Sequence, residues 1–210
     1  NNGEQDYQAA RDSFLRALAL NKNATEVREE LLLIDDVLDV PAFSEEDAKA
    51  MLRIEPEHPF ANYLLGSVRL RRGQLELAED LFLRSMMKER NAPACAGLGA
   101  VMLRKDKLDV AETLLRHSLS LDPDRRFTLH TFAELLIKTG KLDDAEKIIT
   151  RLTNEKPQDL NFRMTFIRLL IEQKKLHKAA IIVSDLLENE DYLPRETLNE
   201  LKPLAARLSK

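Results

Sequence analysis

The chain has no tryptophan, 5% aromatic residues and six glycines in 210 positions, a shortage of strand- and turn-favouring residues that argues against a sheet-rich fold and for long helices. Cysteine is nearly missing: Cys95 alone cannot form an intrachain disulfide and supplies no zinc-binding spacing. The histidines His58, His117, His130 and His177 are scattered, and none stands in an H-E-x-x-H arrangement. No metal, no cofactor and no catalytic constellation is therefore expected, and the chain reads as a non-enzyme. No apolar run approaches the roughly 18 residues that a membrane span needs, so membrane insertion by this chain is not expected. An initiating methionine and a signal-like leader are also lacking, so the chain reads as trimmed. A cytoplasmic place is the simpler reading, and an exported or periplasmic one stays open.

A large excess of one charge sign is missing too. The net charge of -4 is too small to point to nucleic acid, and a few bases on a net-acidic chain give little phosphate affinity. The charge is unevenly placed, however: residues 1–60 hold 14 acids and 6 bases, and residues 61–210 hold 22 acids and 26 bases.

What is present is a 44% hydrophobic content, enough for a sizeable core, and an internal repeat. Residues 59–92 hold the pattern best. Leu65, Gly66 and Arg69 fall in a first helix, Gly73 breaks it, and Leu75, Ala78, Phe82 and Ser85 mark a second. Residues in the place of Ala78 recur at Ala10, Ser44, Ala111, Ala145 and Ala179, at steps of 34, 34, 33, 34 and 34. A period of that size means stacked helix pairs, because one pair cannot enclose its own apolar face. Small residues at Gly66, Gly99 and Ala133 let paired backbones approach closely. Ile167 stands in the same place in the last pair, where wider packing is expected.

The period divides the chain into one array: a half repeat at 1–22, repeats at 23–57, 58–91, 92–124, 125–158 and 159–192, and a capping helix at 193–210. The half repeat lacks its first helix, as though the chain were cut from a longer repeat protein. A helix is expected over 24–39, Ser44 can cap the next one, and Asp122-Pro123 reads as a helix start. Pro203 is expected to kink the last helix. Asn23-Ala24-Thr25 fits a glycosylation sequon, relevant only on a eukaryotic secretory route.

These residues resemble the tetratricopeptide repeat (TPR) family, whose pattern runs W-x2-L-G-x2-Y, Gly, A-x3-F-x2-A, Pro. Leu65-Gly66, Gly73, Ala78, Phe82 and Ser85 carry the match, which extends over residues 6–190. Asn62, Cys95 and Leu129 replace the family's Trp, and Arg69, Met102 and Leu136 its Tyr. The resemblance implies an all-α, right-handed α-α superhelix of about five helix pairs, with the first helices lining its concave face.

On those first helices, the stripe opposite the core is expected to face the groove. It comprises Phe60, Tyr63, Ser67, Leu70 and Arg71; then Ala96, Ala100 and Arg104; then Phe127, His130, Glu134 and Lys138; then Met164 and Arg168. Arg71, Arg104 and Lys138 share one place in successive repeats and would form a cationic ladder suited to an acidic peptide. The plainer alternative is that each base complements a helix C-terminus. The Lys/Asn clamp by which some TPR domains hold a C-terminal carboxylate is not present. Gly97-Leu98-Gly99 mimics a phosphate loop but lies inside a helix, so packing explains it, and Cys95 is expected as a small buried hydrophobe.

The function so read is a non-catalytic scaffold that binds a protein or peptide in the groove. Two alternatives stand beside it: a recruiting arm of a larger enzyme, or a self-association module in which residues 6–20 expose Tyr7, Phe14 and Leu18 to a second copy.

Overall fold

Helix boundaries follow local chemistry throughout the computed structural model, which describes residues 9–10, 13–14, 44–87 and 91–208. The expected helix over 24–39, the sequon, and Tyr7 and Leu18 lie outside the described residues. The chain divides into two units, Asn1–Pro123 and Asp124–Lys210.

The first unit contains α1 (Ser44–Ile54), α2 (Pro59–Arg71), α3 (Leu75–Ser85), α4 (Ala92–Arg104) and α5 (Leu108–Leu121). Helix α1 opens at Ser44. Before α2 the cap is His58, whose Nδ1 accepts the Ala61 N–H at 3.3 Å, and before α4 it is Asn91, whose Oδ1 accepts the Ala94 N–H at 2.8 Å. Pro59 and Pro93 follow in the first turns, where a missing N–H leaves no bond unmade.

The second unit contains α6 (Arg126–Lys138), α7 (Leu142–Glu155), α8 (Leu160–Glu172), α9 (Leu176–Leu187), a 3-10 turn (Glu190–Tyr192) and α10 (Arg195–Leu208). Asp122-Pro123 does not start α6: Asp122 terminates α5 and Arg125 precedes α6 as its cap. The true acidic cap is Asp159, whose carboxylate accepts the N–H groups of Asn161 and Phe162 at 2.9 and 3.2 Å. Helix α10 continues across Pro203.

One turn closes each of the four fully described helix pairs. Gly73, Asp106, Gly140 and Lys174 occupy equivalent places and all have positive φ, 71°, 60°, 76° and 58°. The next residue in each case, Gln74, Lys107, Lys141 or Lys175, donates its N–H to Arg69, Met102, Leu136 or Leu170 at 2.8–2.9 Å. This satisfies a helix-end carbonyl and reverses the chain in few residues.

Between paired helices the small residues act as the repeat predicts. Ala78, Ala111, Ala145 and Ala179 are fully buried, and Phe82, Leu115 and Ile149 beside them are too. Burial of each large side chain contributes about 1.5–3 kcal/mol. Phe82 lies against Gly66 and Gly97: a Cβ added at Gly97 would sit 2.4 Å from its ring, and one at Gly66 2.9 Å. Gly97-Leu98-Gly99 is thus a packing surface, and Cys95 is buried beside it, both as expected. In the second unit Ile167, Leu170, Val183, Leu186 and Leu201 form one core, so α10 closes the apolar end of α8 and α9. Ile167, where the earlier pairs have a small residue, is itself fully buried in this core.

Candidate functional site

A helix buried on nearly all sides has little face to spare; α4 is such a helix, and α2 is mostly so. In α4 every residue from Ala94 to Leu103 is buried, including Ala96 and Ala100, which therefore offer no open groove surface. In α2, Tyr63 is 6% exposed, with its ring 5.7 Å from that of Phe60 and 6.1 Å from that of Phe82. Tyr63 is a packing residue of the unit, a correction to its expected place in the groove. Leu70 is buried as well.

What α2 and α4 leave accessible is short and polar. Ser67 is half-buried and donates to the Tyr63 carbonyl at 3.0 Å. Arg71 is exposed at the end of α2. Arg104 reaches back from α4, and its Nη1 donates to the Leu70 carbonyl at 2.7 Å. That bond satisfies a carbonyl at the negative end of α2, so Arg104 holds two repeats together as well as presenting charge.

In the second unit the expected residues do converge. His130, Glu134, Met164 and Arg168 line a cleft of about 210 Å³, together with Leu160, Asn161, Thr165, Glu196, Thr197 and Glu200. Nε2 of His130 lies 2.8 Å from Oγ1 of Thr165, and its ring is 5.2 Å from that of Phe162. Met164 is 8% exposed and forms the floor rather than an open contact. Arg168 extends over this floor to the carboxylates of Glu200 at 3.0 Å and Glu134 at 3.7 Å. Phe127 stands half exposed at the start of α6 and Lys138 is exposed at its end.

Sequence reasoning missed Glu196, Thr197 and Glu200, because the last helix reads as a cap whose polar face meets solvent. Its place in the stack is the available signal: a helix following the last pair stands where another first helix would stand, so its polar face joins theirs. Also missed are acids one residue after the repeat anchor. Glu45 pairs with Arg72 at 2.7 Å, Glu79 pairs with Lys105, and Glu146 accepts from Gln173 at 2.7 Å and Lys175 at 3.0 Å. Each ties a second helix to the turn of the following pair. Hydrogen bonds from Lys49 and Arg72 hold the Glu45 carboxyl below its ordinary range, and those from Gln173 and Lys175 do so for Glu146.

Among the described residues no helix is long and apolar enough to cross a membrane. A Tetratricopeptide repeat family model matches residues 102–164. No curated protein matches the chain. Among solved structures it is similar to a thermophilic TPR protein of Thermus thermophilus, with 25% identity and a TM-score of 0.57 over 79% of this chain and 91% of that one. A tetratricopeptide repeat protein from Parabacteroides merdae shares 19% identity and a TM-score of 0.62 over 98% of this chain and 80% of that one. YrrB, described as a TPR protein with an unusual peptide-binding site, shares 16% identity and a TM-score of 0.51 over 95% and 98% of the two chains.

Proposed function

We propose that this chain, which a Tetratricopeptide repeat model matches over residues 102–164 and whose fold is that of tetratricopeptide repeat proteins, is a non-catalytic scaffold whose first-helix face binds a protein or peptide. The observation that carries this reading is the cleft of the second unit, where side chains from α6, α8 and α10 meet around one opening. In the first unit the corresponding contacts are Ser67, Arg71 and Arg104; in the second they are Phe127, His130, Glu134, Lys138 and Arg168, over the Met164 floor. The similarity to YrrB adds support, since peptide binding by that protein occurs on the same fold. In the first unit an acidic ligand remains suited to Arg71 more than to Arg104, whose guanidinium group already holds the Leu70 carbonyl.

The test uses a partner purified with this chain from its own cells. Arg71→Ser and Phe127→Ser together are expected to weaken its binding about tenfold, as removal of one charge contact and one apolar contact does. Arg104 is kept in that variant because it also holds the Leu70 carbonyl. Replacing Arg84 and Arg116, exposed on second helices, is expected to leave affinity unchanged. Equal affinity for all three proteins would reject the groove.

A further inference from the structure

The walls of the second-unit cleft are not neutral. Three carboxylates, Glu134, Glu196 and Glu200, face it against a single guanidinium, that of Arg168. Arg168 is held by Glu200 at 3.0 Å and by Glu134 at 3.7 Å, so the one positive group is already met by two negative ones. Glu196 has no ion-pair partner among the described residues. An acidic ligand would have to displace Glu200 and then lie beside two further carboxylates, and like charges so placed oppose binding.

We propose that this cleft is the seat of a basic peptide, with a lysine or arginine side chain entering between α6, α8 and α10. The proposal rests on the groove reading above and gives it a charge sign. The cleft, about 210 Å³, lies below the roughly 300 Å³ at which small-molecule sites begin, a size suited to one side chain of an extended peptide. Its surfaces match the two parts of such a side chain. Leu160 and Met164 offer an apolar floor for the methylene stem, and the carboxylates at the rim meet the charged head. The His130 ring is fixed by its contact with Thr165, so one wall is ordered before a ligand arrives. An open rim of this kind is screened by salt, and affinity is expected to fall as ionic strength rises.

Amide chemical-shift mapping on the full chain tests this with two capped eight-residue probes, one alternating lysine with serine and one alternating glutamate with serine. The lysine probe is expected to give saturable shifts at Thr165, Glu196 and Thr197. It is expected to bind about threefold more weakly to Glu196→Gln and about tenfold more weakly to the Glu134→Gln, Glu196→Gln double variant. Asp143→Asn, which removes an exposed charge on α7 outside the cleft, is expected to leave binding unchanged. Shifts at the cleft from the glutamate probe alone would overturn the charge sign and leave a peptide-binding groove standing. Shifts spread over the surface, with equal weakening by Asp143→Asn, would overturn it in favour of general attraction to an acidic chain. Silence of the cleft toward both probes would overturn both the charge sign and the groove reading for this unit.

Discussion

Phe82 is the residue on which three helices converge, and glycine is what admits it. Its ring occupies the space that a side chain at Gly66 or Gly97 would take, so α2, α3 and α4 close to the distance that this one ring sets. Gly97→Ala is therefore expected to destabilise the chain by about 1–3 kcal/mol, the usual range for overpacking, as read from urea unfolding. A second substitution, Phe82→Leu, should recover part of the loss caused by Gly97→Ala; strict additivity of the two would show that the ring is not what the added methyl meets. At this scale the small positions were legible, because Gly66, Ala78, Ala111, Ala145 and Ala179 recur at one period and bulk is excluded there for one reason. Tyr63 was not. It lies at the edge between core and groove stripes, and only the positions of Phe60 and Phe82 decide that its ring turns inward.

Helix pairs are joined by polar bonds as well as by apolar stacking. The acids one residue past the anchor, Glu45, Glu79 and Glu146, meet the turn of the following pair. Their register is regular, yet charges in a 32% charged chain read as solvated until the neighbouring turn is known. A carboxyl held below its ordinary value of 4.5, as Glu146 is, contributes stability that is present above that value and is lost as the pH falls through the folded one. Stability is thus expected to decline below about pH 4.5. Glu146→Gln should lower the melting temperature slightly at pH 7 and lose less than the unsubstituted chain between pH 7 and about pH 3.5. Parallel losses in the two proteins would remove Glu146 from the acid response. The same scale explains the cleft: α10 was legible as a closing helix from Leu201 and its apolar stripe, whereas the use of Glu196 and Glu200 depends on which helix its other face meets.

For the whole molecule, the all-α repeat fold was legible because a 33–34-residue period admits few architectures. The candidate surface was legible only in part. His130, Glu134 and Arg168 converge as the helical stripe predicts, while Ala96, Ala100 and Tyr63 are consumed by packing. The functional claim is that partners meet the first-helix face, and the second helices serve as its support. The second helices nonetheless carry exposed apolar residues, Leu77 and Val110 in the first unit and Ile181 in the second, which makes the contrast between faces a real one. Site-specific photo-crosslinking in cells decides between them, with the crosslinker placed in turn at Ser67, Lys138, Leu77 and Ile181. One partner captured from Ser67 or Lys138, with none from Leu77 or Ile181, is the predicted result; the same partner captured only from Leu77 or Ile181 would contradict it.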